Sequence, residues 1–411
     1  MTHSRPRRRF LPHAIFAALV AFAFAWSTPL AYAIRLPDGP NDFNSPAFLV
    51  RHAWVKFALL ATRPLRADLT PQQEDAQVAR FFELNHLITE ADRIGGDPAS
   101  SADVAGAARE EESRLRDERS AIENRVELIL EGRLTRVIKE AGLTRHIGGD
   151  IVWPPVNIEF EDPPAVLVES PRSEIRRENE TLLQGDLPIE RVRRIEADAE
   201  RDGKTSALVV QIGGIAMYPA IVPPDADYHF IMQDIAHEWT HHYLFFAPLG
   251  RAYFDSAKLT TINETVADTV GRELGDRLFA EYPPPSKAPA AVASDAAGNG
   301  RLAAPPAIDF TMVMRDLRRQ VEALLAAGKI VDAEQLMEQK RDFLAANGYY
   351  IRKLNQAYFA FHGSYADSAG SIDPIGPKLT QLRQQSGTLQ QFVTRARAIT
   401  SERELDAAIV R

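Results

Sequence analysis

The sequence predicts a predominantly helical α+β protein with a small β-sheet, one edge strand of which packs on a histidine-bearing helix. Three observations predict it. On both sides of residues 151–222, apolar residues recur at three- and four-residue spacing between recognisable helix caps. Short β-branched runs bounded by Pro and Gly are concentrated within 151–222. Directly after them, 227–246 again reads as one continuous helix.

With 411 residues the chain suffices for two domains or one large decorated domain. The expected division is an export signal at 1–33, a helical region at 34–150, a core at 151–282, a linker at 283–306 and a second helical region at 307–411. Net charge is −8, which argues against nucleic acid or an anionic membrane surface as the main partner, since both reward a basic face. There is no cysteine, so disulfides, thiolate ligands and cysteine nucleophiles are excluded, and any metal must be held by His, Asp or Glu.

At the start, Arg5, Arg7, Arg8 and Arg9 precede an apolar stretch at 14–26, Pro29 and the small-residue pattern Ala31-Tyr32-Ala33. This is the pattern of a secretory signal cleaved after Ala33, and it predicts an exported protein. Arg7-Arg8-Arg9-Phe10-Leu11 also resembles a twin-arginine signal. Left uncleaved, 10–34 is just long enough to anchor the chain, which is the one membrane contact the sequence offers.

A helix is expected over 46–66. Thr70-Pro71-Gln72-Gln73 reads as N-cap, first-turn proline and capping-box glutamine for a helix running to about residue 93, stopped by Gly95-Gly96-Asp97-Pro98. Residues 101–141 predict a long charged helix with an apolar stripe of Leu115, Ile122, Val126, Leu130 and Val137, packed along one edge. Residues 156–160 and 165–169 read as a hairpin across Asp162-Pro163-Pro164. Asp186 is expected to cap a helix ending at Gly203. Residues 207–212 read as a buried strand, and 215–222 as a further extended run with Pro219 at an edge. Helices follow from Asp225 or Asp227 to about Phe246, and over 258–281. Past the Pro- and Ala-rich linker they are expected over 307–327, 331–346, 349–361 and 387–410.

The chemistry concentrates in Asp234-Ile235-Ala236-His237-Glu238-Trp239-Thr240-His241-His242, which contains H-E-x-x-H. Histidines four apart lie on one helical face, so both imidazoles reach one metal. Glu238 lies about 100° around the helix from His237, beside the metal, where it can take a proton from a water. Glu264 follows His241 by 23 residues, on the next helix, close enough in sequence to return as a third ligand. Three protein ligands leave a fourth position open, the layout of a catalytic zinc site. Asp268 shares the face of Glu264 and can accept the second N–H of a ligating histidine. His242 points elsewhere and is expected to be structural.

H-E-x-x-H followed by Asn263-Glu264-Thr265-Val266-Ala267-Asp268 resembles the gluzincin group of metallopeptidases, which includes thermolysin and the zinc aminopeptidases. The resemblance spans about residues 207–281. It implies zinc held by His237, His241 and Glu264, Glu238 as general base, Asp268 behind the ligands, and a peptide or protein substrate. It also implies an upstream edge strand pairing with substrate; Gly213-Gly214-Ile215-Ala216-Met217 stands there, so Gly214, Ile215 and Ala216 are the expected substrate contacts. The group's usual downstream oxyanion signature is missing. His362 and Tyr365, where a helix breaks at Gly363, are the candidates for that role, and the sequence does not choose between them. The competing expectation is a non-catalytic envelope protein with a structural metal site and a helical interaction region. No nucleotide-binding loop and no G-x-S-x-G is present.

Overall fold

The computed structural model describes residues 39–62, 69–146, 150–284, 308–365 and 368–410. The expected export signal, and residues 285–306 of the expected linker, lie outside the described residues. The fold is predominantly helical α+β with few, short strands.

Helix α1 spans Ser45–Thr62, α2 Pro71–Gly96 and α3 Ala102–Glu140. The α2 capping box forms as its sequence requires: Thr70 accepts from the Gln73 N–H while the Gln73 side chain accepts from the Thr70 N–H. Ser101 caps α3. The two long helices pack along each other, burying Phe81, Leu84 and Ile88 against Leu115, Val126 and Leu130. Each such fully buried side chain stabilises the fold by about 1.5–3 kcal/mol.

Strands β1 (Arg145–His146) and β2 (Asp150–Ile151) form a minimal antiparallel pair. Strand β3 (Ile158–Phe160) pairs in parallel with β7 (Ala220–Val222). The main sheet is antiparallel, with β4 (Ala165–Pro171) between β5 (Asn179–Leu183) and β6 (Thr205–Gln211). Alternation along β4 divides its faces. Ala165 packs with Leu183, Val192 and Val209 under α4 (Ile189–Ala199). Val166 and Val168 pack on α8 (Phe310–Ala326), α9 (Ile330–Ala346) and α10 (Gln356–His362).

The largest core surrounds α5 (Tyr228–Phe245) and α7 (Ala257–Glu281), joined by the short α6 (Pro248–Arg251). It draws in α2, α3, β3 and β7, and also α11 (Ile375–Gln384), α12 (Leu389–Ala396) and α13 (Glu402–Val410). Residues 308–410 therefore divide: α8–α10 cover the sheet, while α11–α13 complete the core that contains α5.

Several expectations are corrected. Residues 156–160 and 165–169 do not form a hairpin; each run pairs with later strands in a different sheet. Pro163 and Pro164 leave their connection without two of the N–H donors a tight turn draws on. The run 215–222 is not one strand. It folds back on itself, with reciprocal backbone bonds between Ile215 and Ile221, and Pro219 at the bend. Helix α4 starts after Pro188 without a side-chain cap, so Asp186 does not cap it. Residues 349–355 are not helical, because the Asn355 side chain caps α10 from within the expected helix. Residues 387–410 break into two helices, and α11 was not foreseen.

Candidate metal centre

Asp227 starts α5 by accepting from the His229 and Phe230 N–H groups at 2.8 and 3.3 Å. Apolar residues then bury three sides of the helix, and the face carrying His237 and His241 turns toward α7. Two glycines let α7 come close. A Cβ on Gly271 would lie 2.9 Å from the His237 Cβ, and one on Gly275 would lie 2.5 Å from the Gln233 Cα.

That approach brings three ligand atoms together. His237 Nε2 and His241 Nε2 are 3.0 Å apart, and Glu264 Oε2 lies 3.7 and 3.5 Å from them. Zinc at about 2.0–2.1 Å from tetrahedral N and O ligands sets edges of about 3.3–3.4 Å. The observed edges straddle that value, so the donor set fits one ion of this size. Among the described residues it is the one His, Asp or Glu group with this convergence. The imidazoles stay 16% and 14% exposed while Glu264 is 6% exposed, so the cluster opens to solvent on the histidine side.

The atoms that face away from the cluster are all held. His237 Nδ1 donates to Asp268 Oδ1 at 3.0 Å, and His241 Nδ1 donates to Asn263 Oδ1 at 2.9 Å. Asn263 is itself oriented by its Nδ2, which donates to the Leu249 carbonyl at 3.4 Å. Both Nε2 atoms are thereby turned toward each other and toward Glu264. Tyr253 donates to Glu264 Oε1, leaving Oε2 to face the histidines.

Charge inside the cluster is strongly coupled. Burial opposes a charged His237, but its bond to Asp268 and the charges of Glu238 and Glu264 outweigh that and raise it to about 10. Burial likewise opposes a charged Glu264, yet the two histidines and Tyr253 hold it down at about 2. Glu238 is pushed up to about 7 by burial, with His237 opposing and Glu264 and Asp268 reinforcing. One turn earlier, Asp234 is raised well above the usual range by burial and by Glu238.

The structure brings His237, His241, Glu264, Glu238 and Asp268 together. It separates the remaining candidates. Tyr365 is pushed up by burial and by the charge of Glu264, with Asp268 and Glu238 adding and Arg177 opposing. His362 instead packs on Tyr358 and Phe361, with ring centroids 4.2 and 5.2 Å away, and burial and Arg177 lower it to about 4. The backbone N–H and C=O of Ile215 are taken by Ile221. A Cβ on Gly214 would lie 2.8 Å from Asp234 Oδ2 and 2.9 Å from Glu238 Oε1, so what this glycine admits is the protein's own carboxylates. The Ala216 and Met217 carbonyls face His242, whose Nε2 lies 2.6 Å from the latter. His242 is the structural tie expected of it, fastening this arm to α5.

Sequence reasoning quoted Asn263 and Asp234 without a role and passed over Tyr253, Arg177, Gly271 and Gly275. Arg177 donates to the Ala360 and Phe361 carbonyls and to Ser364, securing the turn that carries Tyr365. The four-residue spacing of Gly271 and Gly275 was the available signal for close helix contact. Asn263→Ala and Asp268→Ala are each expected to weaken zinc binding about 10–100-fold. Competition with a chromogenic chelator measures this; unchanged affinity in both variants would refute the orienting role. Compared with known proteins, the chain matches no family model, no curated protein and no solved structure.

Proposed function

We propose that this protein is a zinc-dependent peptidase of gluzincin type, exported and acting on peptide or protein substrates. The observation that carries the reading is the convergence of His237 Nε2, His241 Nε2 and Glu264 Oε2, each on a side chain whose other polar atom is bonded within the protein. A zinc ion held by these three residues supplies Lewis acidity, making a carbonyl easier to attack and a water easier to deprotonate.

The chain's own groups do the rest. Glu238 takes the proton of the attacking water and delivers it to the leaving nitrogen; a carboxyl raised to about 7 is suited to both transfers. The Tyr365 hydroxyl, kept protonated by burial and by the charge of Glu264, donates to the developing oxyanion. Asp268 and Asn263 keep the imidazoles in the ligating tautomer. The N-terminal pattern of arginines, apolar stretch and small residues supports export.

Metal analysis of the purified protein, followed by hydrolysis of a peptide library with and without chelator, tests the reading. About one zinc per chain and cleavage that stops with chelator and returns with zinc is expected. Full zinc loading with no peptide cleaved would favour the envelope protein with a structural metal instead.

A further inference from the structure

We propose that a groove at the C-terminal end of α5, away from the metal ligands, binds a small organic anion: a carboxylate or phosphate carried on an apolar group. The groove has a volume of about 600 Å³ and is lined by Thr144, Arg145, Phe246, Pro248, Thr394 and Arg397 among others, with no Asp or Glu in its wall. Two guanidinium groups therefore face it, and among the described residues no carboxylate answers them.

Both are arranged around Tyr243. Arg145 lies over the Tyr243 ring at 5.7 Å and the Phe246 ring at 5.8 Å, and its buried Nε has no hydrogen-bond partner among the described residues. Arg397 reaches the same tyrosine from the hydroxyl side, donating through Nη1 at 2.9 Å. Neither forms an ion pair among the described residues. Several other partly or fully buried arginines are paired with a carboxylate: Arg133 with Asp75, Arg177 with Glu180 and Arg352 with Glu196. A guanidinium fork matches carboxylate and phosphate geometry. In a chain of net charge −8, a groove with two unanswered arginines is a specific departure from the average field.

The size of the groove narrows the ligand. Sites of about 300–1,000 Å³ take small molecules. Phe246, Pro248 and the alanines beside them offer an apolar wall, which a bare inorganic ion would leave uncovered. The inference does not rest on the peptidase proposal.

Titration calorimetry of the full protein with phenyl phosphate, benzoate and inorganic phosphate tests it. One of the two aromatic anions is expected to bind more tightly than inorganic phosphate, and to weaken as salt is raised. Whichever aromatic anion binds better names the head group. Arg145→Gln removes no side-chain hydrogen bond formed among the described residues, so it is expected to fold as the parent does and to bind at least about tenfold more weakly. Thr394→Val, which leaves both charges in place, is expected to weaken binding about threefold. Absence of binding by both aromatic anions overturns the proposal. So does binding that Arg145→Gln and Thr394→Val leave unchanged, because the anion is then held elsewhere, the metal centre included.

Discussion

A Glu238→Gln protein is expected to keep its zinc and its fold while cleaving peptides about 100- to 10,000-fold more slowly, the range that general-base removal covers. The substitution preserves shape in a buried position where Gly214 leaves little space. It removes both the charge that helps push Asp234 above its usual range and the charge that favours a protonated His237, two effects of opposite sign on the fold. Loss of turnover with metal and stability retained separates a proton-transfer role from a structural one. Metal content, melting temperature and kcat measured on one preparation decide it, and a fully active variant would overturn the base assignment. His241→Ala differs in kind: it removes a ligand, so zinc and turnover are expected to go together.

The second large effect is expected from a residue with no functional group. Gly271→Ala would set a Cβ 2.9 Å from the His237 Cβ and 3.0 Å from the Gln233 carbonyl oxygen. The contacts include main-chain atoms, so α5 and α7 must move apart instead of a side chain yielding. Overpacking of this kind costs about 1–3 kcal/mol. The gain in helix propensity from Gly to Ala, about 1 kcal/mol, offsets part of that. The consequence at the metal is larger than the loss of stability. Three ligand atoms on two helices hold one ion only while the helices keep their separation, and a shift of a few tenths of an ångström spoils the edges described above. Gly271→Ala is therefore expected to lower the melting temperature by a few degrees and to lose most of its zinc affinity. Equal zinc affinity in variant and parent would show that the close contact does not set the site.

Much of the centre could be read directly from local spacing. His237 and His241 are four apart on a helix that forms where expected, from Asp227 to Phe245, and α7 carries Glu264 and Asp268 one turn apart on the face turned to it. Helix caps at Thr70 and Asp227 were equally readable, because a cap is a contact between residues close in sequence. What escaped depends on distant partners. Strand β3 chooses β7, some sixty residues later, over its sequence neighbour β4. The turn between His362 and Tyr365 is held by Arg177, from the loop before β5, a partner nearly two hundred residues away in sequence. The run 215–222 was read as one extended strand, whereas the chain returns at Pro219 and Ile221 pairs back with Ile215. Tyr253 sits between two helices in a stretch without periodicity, so nothing local marked it as the donor to Glu264.

The last ligand, Glu264, is synthesised well before the chain is finished, yet the core behind the ligands is closed by α11–α13, up to Leu405. The fastening is direct: the Leu249 N–H donates to the Arg397 carbonyl, and the Leu249 carbonyl receives the Asn263 amide that steadies His241. A nascent or truncated chain ending before residue 389 thus holds every coordinating group and lacks the wall they stand on. The packing behind the His237, His241 and Glu264 cluster is in this way completed only by residues that follow it by more than a hundred positions.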